Sequence, residues 1–241
     1  MRKHRGLAPE DKAFFEPGRI EKLEEAVKDL SWLLRRGYSQ KAAVELVGNR
    51  YQLSKRERHA LIHAAWDGKR RNPPLPPEAL RGKTLCIDGF NLLITLETAL
   101  GGGILIRGAD GCYRDIANVH GNYAFRAETE EAVALAAEAL KRLGVKEALW
   151  YFDRPVSNSG RIAQLVDETA EKTGVPMRAE TTDRVDAKLK ACEDVVVTAD
   201  AVILESGVTW FDLGGWIVEN LLPPPTSLLD FSRECGGSGS C

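Results

Sequence analysis

From residue 19 onward the apolar positions recur at helical spacing. Ile20, Leu23, Val27, Leu30, Leu33 and Leu34 fall at three- and four-residue steps and make one face. Arg35-Arg36-Gly37 then supplies a C-terminal stop. Ser39 is placed to cap a second, short helix bearing Ala42, Ala43, Leu46 and Val47, which Gly48-Asn49 ends. Ser54 and Glu57 have the spacing of a capping box, predicting a third helix with Leu61, Ile62 and Ala65 that runs toward Lys69-Arg70-Arg71. Residues 1–18, with Pro9 and Pro17, predict an extended arm. Asn72-Pro-Pro-Leu-Pro-Pro77 breaks the pattern and predicts a stiff, extended spacer.

Past residue 82 the period changes. Leu85-Cys86-Ile87 is a short apolar run that ends in Asp88, as a buried parallel strand does. Residues 92–126 then predict a long, glycine-bearing loop. A helix over about 127–143 carries Ala132, Leu135, Ala136, Ala139, Leu140 and Leu143 on one face. A strand over 148–152 ends at Asp153, and a helix spans about 160–173. A short strand lies near 177–180, a helix at about 184–192, and a strand Val195–Thr198 leads to Asp200. A last strand covers 208–213, with a helix after Gly214-Gly215. Strands alternating with helices imply an α/β domain with a mostly parallel sheet. The expected division is a small all-α, helix-turn-helix-like domain at 1–71, a proline-rich linker at 72–81, an α/β domain at 82–225 and a flexible tail at 226–241.

Charge changes this picture by splitting it. The chain has a formal net charge of −2. Counted from the sequence, residues 1–82 hold 18 Lys+Arg against 11 Asp+Glu, and residues 83–241 hold 15 against 24. A basic module attracts phosphate backbones and an acidic one can hold a metal. Lys55, Arg56 and Arg58 open the third helix, where a recognition helix meets nucleic acid. No apolar run approaches the roughly 20 residues that span a bilayer, and no apolar core follows the basic N-terminus, so a cytoplasmic protein is expected, without a membrane partner. The five cysteines show no C-x-x-C pair. They predict neither a zinc site nor a disulfide framework, and Cys86 and Cys192 are expected to pack as small hydrophobes.

The candidate chemistry rests on four aspartates. Asp88, Asp153 and Asp200 each follow a strand, and in a parallel sheet those positions share one edge. Asp186 lies in the first turn of a helix that starts from the same edge, where the helix dipole favours a carboxylate. Such a cluster suits Mg²⁺ or Mn²⁺, which orient and acidify a water and stabilise charge on a phosphate. All four are thus expected as catalytic and metal-holding residues, with Asn91 binding a phosphate oxygen or fixing Asp88. Asp183, Asp194 and Asp212 are nearby alternates, of which Asp194 belongs to the turn before a strand. In the long loop, Arg107, Arg114 and Tyr123 are candidates to clamp a phosphate or stack on a base, and His120 is a candidate proton donor. The motifs G-x-x-x-x-G-K-[ST], G-x-G-x-x-G and G-x-S-x-G are absent, and Phe90 stands where a haloacid-dehalogenase-type phosphatase wants a second aspartate.

Ile-Asp-Gly-Phe-Asn (87–91), Tyr-Phe-Asp (151–153), Val-Asp-Ala-Lys-Leu (185–189) and Val-Val-Thr-Ala-Asp (196–200) together resemble the ordered motifs of PIN-like nucleases, especially their NYN branch. The resemblance covers roughly 83–213. It implies a three-layer α/β/α fold and metal-dependent ribonuclease activity on the four aspartates. The assembly also resembles an uncharacterised prokaryotic family in which a small helical domain precedes such a domain. The leading expectation is therefore a Mg²⁺- or Mn²⁺-dependent nuclease acting on RNA, with the helical module docking the substrate. The alternatives are a non-catalytic nucleic-acid-binding or regulatory protein on a PIN-like scaffold, and a small-molecule phosphoesterase. Oligomeric state is left open.

Overall fold

A computed structural model describes residues 2–117 and 121–235. They divide into two compact units, one drawn from Met1–Arg5, Arg70–Gly101 and Ala117–Pro224, the other from Gly6–Lys69, Gly102–Ile116 and Pro225–Cys241.

The second unit contains the predicted helices as α1 (Arg19–Arg35), α2 (Gln40–Arg50) and α3 (Lys55–Ala64). Ser39 accepts from the Ala42 amide, and Ser54 and Glu57 close the capping box that the sequence predicts. Helix α3 stops at Ala64, and the chain continues extended from Ala65, short of the basic cluster at 69–71. Leu23, Ala26, Val27, Leu30, Ala43, Val47, Ala60 and Leu61 fill the core of this unit with Phe14.

The expected long loop is largely ordered structure. Strand β1 (Thr84–Asp88) passes directly into helix α4 (Gly89–Gly101), and residues Gly89–Phe90 and Leu92–Thr98 are all buried. The sequence reading missed this helix because a helix enclosed on every side has no polar face and hence no 3.6-residue signal. After it come β2 (Leu105–Arg107) and β3 (Tyr113–Asp115), an antiparallel pair that belongs with the helical unit.

In the first unit the chain goes on as α5 (Thr129–Leu143), β4 (Glu147–Asp153), α6 (Ser159–Thr173), β5 (Met177–Thr182), α7 (Val185–Lys190), β6 (Val195–Val197), α8 (Ala201–Leu204) and α9 (Leu213–Asn220). The expected strand at 208–213 reduces to one bridge, Val196 to Trp210. Finally β7 (Leu228–Asp230) pairs parallel with β2, giving the helical unit a three-stranded sheet ordered β3-β2-β7.

The α/β unit holds a four-stranded sheet ordered β5-β4-β1-β6, every pair parallel. Leu85, Ile87, Trp150, Phe152, Val195 and Val197 enter its core with the apolar faces of α4, α5 and α6. Strand β1 sits between β4 and β6, so the chain runs outward from β1 on one side and returns to its other side. A reversal of that kind opens a crevice at the carboxyl ends of the strands.

Two further expectations are corrected. Cys86 and Cys192 form a disulfide, which ties β1 to the turn after α7. Partners 106 residues apart are brought together by the sheet, and no local spacing marks them. The proline segment is not a bare spacer either. The Asn72 amide donates to the Gly207 carbonyl (2.7 Å), Trp210 Nε1 donates to the Asn72 carbonyl (2.7 Å), and the Leu75 amide donates to the Trp210 carbonyl (2.9 Å), fastening it along the α/β unit. The N-terminal arm is likewise docked, with Arg5 Nε 2.7 Å from the buried Glu97 carboxylate.

Candidate active-site edge

Asp88 is the last residue of β1 and Asn91 lies in the first turn of α4. Gly89 between them is required by packing. A Cβ at this position would meet the Phe152 ring at 2.4 Å, so only glycine lets α4 start this close to β4. The Asn91 amide approaches Asp88 Oδ1 at 3.4 Å, and Thr198, just past β6, donates from Oγ1 to Asp88 Oδ2 at 2.9 Å. The same hydroxyl accepts from the Asp200 amide (3.1 Å), and Asn91 Oδ1 accepts from the Ala199 amide (3.0 Å). The ends of β1 and β6 are thereby laced together. With its oxygen held by Ala199, the Asn91 side chain presents its NH₂ group as donor.

The electrostatics of the edge are one-sided. Burial pushes the Asp88 carboxyl up to about 7, against the lowering effect of Thr198 and the Asn91 amide, and Asp200 and Asp153 push it further in the same direction. Asp153 is raised by burial and then by Asp186. Asp186 and Asp200 have exposed side chains, and Asp200 caps the turn after it by accepting from the Val202 amide at 2.7 Å. The four predicted aspartates therefore feel one another in sequence: Asp200 and Asp153 act on Asp88, and Asp186 acts on Asp153. Among the described residues, no three His, Cys, Asp or Glu side chains converge as a ready-made metal cage. The donors are all hard oxygens, which fits Mg²⁺ in the manner it usually binds, through one or two carboxylates with water and substrate phosphate completing the shell.

The alternates resolve as structural groups. Asp194 accepts from the Thr84 amide and pairs with Lys83, Asp212 caps α9 through the Gly215 amide, and Asp183 pairs with Arg154. The expected phosphate and base binders are mostly engaged within the protein. Arg56 grips Asp11 with two hydrogen bonds (2.6 and 3.0 Å) and donates to the Ile116 carbonyl. Arg58 donates to the Leu53 and Glu45 carbonyls and to Asn49 Oδ1, while Lys55 is exposed at the start of α3. Arg114 forms a two-point pair with Asp110 (2.8 and 2.6 Å), and Arg107 lies 3.9 Å from Asp230 and over the Tyr113 ring. Both arginines stand on strands of the helical unit. Tyr123 is buried, its hydroxyl shared between Glu97 and Thr129, and burial followed by Glu97 pushes its ionisation upward. His120 lies outside the described residues. Thr198 is the residue of the edge that the sequence reading left without a role, although it stands in the motif Val-Val-Thr-Ala-Asp.

No solved structure matches the chain. An uncharacterised protein of Methanocaldococcus jannaschii, MJ0935, is 34% identical over 188 residues, covering 76% of this chain and 89% of the relative. Residues 22–72 match the protein of unknown function family DUF434, and the match ends at the proline segment. Residues 77–216, which contain the whole carboxylate edge, match the domain of unknown function DUF5616, and the chain belongs to that family, joined to a DUF434 region.

Proposed function

We propose that the α/β unit is a PIN-like, three-layer domain that hydrolyses phosphodiester bonds in nucleic acid, RNA first, with Mg²⁺ or Mn²⁺. The observation that carries this reading is the carboxyl edge where β1 meets β6: Asp153 and Asp200 both push the half-buried Asp88 upward, and among the described residues no cationic side chain lowers its pKa. A divalent cation held there would acidify a water and neutralise charge on the scissile phosphate. Asp88 and Asp200 are the principal ligands in this reading, with Asp153 and Asp186 extending the acidic line along the edge. Thr198 orients the Asp88 carboxylate by donating to it, and the Asn91 NH₂ group is positioned to donate to a phosphate oxygen. The helical unit assists nucleic-acid binding.

The test is cleavage of a labelled single-stranded RNA with Mn²⁺ by the wild-type chain and by Asp88→Asn. Cleavage by the wild type and none above background by the variant is the expected result. Equal rates would overturn the assignment. The absence of a three-ligand cage among the described residues favours one alternative, a PIN-like scaffold that binds nucleic acid without cutting it. Titration calorimetry separates the two, since RNA binding without any Mn²⁺ binding belongs to the scaffold.

A further inference from the structure

Segment 121–128 of the α/β unit lies beside the loop that leaves Asp153. The Ser157 amide donates to the Gly121 carbonyl, and the side chains of Ser157 and Asn158 both donate to the Tyr123 carbonyl (2.8 and 2.7 Å). The N-terminal arm is laid on the other side of this segment. The Ala127 amide donates to the Lys3 carbonyl, His4 bonds to Glu128, and Arg5 anchors on Glu97. These two attachments bring guanidinium groups from distant parts of the chain to one ring. Arg161, in the first turn of α6, stands 4.6 Å over the Phe125 centroid, and Arg2 stands 5.4 Å from it. Arg126 follows directly in the chain, and its buried Nε has no hydrogen-bond partner among the described residues.

This arrangement works against stability taken alone. Two like charges share one aromatic ring, and Arg161 also sits at the positive end of the α6 dipole. Only Arg2 has a carboxylate, the exposed Glu130 at 2.7 Å; Arg126 and Arg161 have none among the described residues. An aromatic face holds a guanidinium in place while leaving its N–H donors free, and a fork of donors matches phosphate oxygens. In the helical unit, by contrast, Arg19, Arg56 and Arg114 are each tied to a carboxylate.

We propose that Arg2 and Arg161 over Phe125, with Arg126 next to that ring in the chain, form a phosphate-binding surface for single-stranded nucleic acid, laid beside the loop that leads from Asp153. This deepens the proposed function by naming where its substrate is held, and it rests on that reading only for what happens at the edge. Binding is therefore measured without catalysis, by fluorescence anisotropy of a labelled oligouridylate in EDTA across a salt series.

The double variant Arg126→Ala/Arg161→Ala is expected to bind at least about tenfold more weakly. Its slope of log affinity against log salt is expected to fall by about 1.4, two phosphate contacts on a single strand. Arg161→Lys keeps the charge and is expected to keep the slope. Arg142→Ala, at the far end of α5 and paired with Glu138, is expected to bind as the wild type does. If the double variant melts below the wild type, Arg161→Glu alone is read instead and is expected to weaken binding more than Arg161→Ala. An unchanged affinity and slope in these variants overturns the proposal. So does a wild-type chain that ignores the oligonucleotide but binds phosphatidylserine vesicles. Because no metal and no cleavage enter the measurement, weaker binding by the arginine variants supports the surface whether or not the chain cuts RNA.

Discussion

The helical unit and the carboxyl edge of the α/β unit treat their charged residues in opposite ways. In the helical unit three buried or half-buried arginines are matched with carboxylates: Arg19 with Glu57, Arg56 with Asp11, Arg114 with Asp110. At the carboxyl edge of the α/β unit the carboxylates act on one another, and among the described residues Asp88 is held by a hydroxyl and an amide donor. Desolvating an ion is costly unless a partner offsets it, so matched pairs are what folding by itself retains. Like charges gathered without a counter-ion lower stability and persist where they serve chemistry. The helical unit therefore shows where charge is architecture, and the edge shows where it is not.

The largest effect expected from breaking this comparison is in the helical unit. Asp11 is 1% exposed and holds the Arg56 fork by both oxygens. Asp11→Asn keeps the shape but strands a guanidinium, and a loss of about 3–5 kcal/mol is expected in urea denaturation. Asp200→Asn, at the exposed end of the edge, is expected to stay within about 0.5 kcal/mol of the wild type. Similar losses in the two variants would erase the distinction drawn between the units.

Next in size is an opposed response to pH. Asp88 is raised from 3.8 to about 7, so between those values the folded chain keeps a proton that the unfolded chain has released. Its contribution therefore falls as pH rises through that window, by at most roughly 4 kcal/mol, and Asp88→Asn removes the dependence. His63 behaves in reverse. Burial, then His59 and Arg114, lower it from 6.5 to about 4, so acidification through that range favours the unfolded chain, by at most roughly 3 kcal/mol. Urea midpoints measured from pH 4 to 8 should show the wild-type curve flattened by these opposite slopes. Asp88→Asn should leave the acid-side loss exposed, and at pH 8 it should be more stable than the wild type. A variant with the wild-type pH profile would mean that the buried carboxyl is not the source.

How much of this was legible in the sequence follows the same physics. The strand-end aspartates were readable because an apolar run that stops at a carboxylate marks a buried strand leaving the core at the sheet edge. Helices α1, α2, α3, α5 and α6 were readable because each has one wet face. Helix α4 was not, since Leu92, Leu93, Ile94 and Leu96 are buried together and leave no period. Nor was the Cys86–Cys192 bond, nor the placing of β2 and β3 with the helical unit, both of which depend on contacts between distant segments. The arginines misled for a related reason. A basic residue at a helix start looks the same in sequence whether it meets solvent, as Lys55 does, or a buried partner, as Arg56 does with Asp11. Gathering Arg2 and Arg161 on Phe125 required the arm and α6 to be placed first.

The smallest expected effect is the sharpest test of how the edge is built. Thr198 Oγ1 donates to Asp88 Oδ2 and accepts from the Asp200 amide, so it links two of the four carboxylate positions through one atom. Thr198→Val keeps the β-branched shape and removes both bonds. A loss of about 1–2 kcal/mol in stability is expected, since two internal hydrogen bonds go and each contributes about 0.5–1.5 kcal/mol. The hydroxyl lowers the Asp88 pKa, so removing it must raise that pKa further, and under the proposed nuclease function the pH at which cleavage switches on should move upward. Thr198→Ser restores the donor and should restore the profile. If valine shifts stability but leaves the pH profile of cleavage in place, Thr198 is a packing residue and Asp88 is not the group whose ionisation sets the rate. A profile that moves with valine and returns with serine ties the buried carboxyl, its hydroxyl donor and the reaction to the same end of β1.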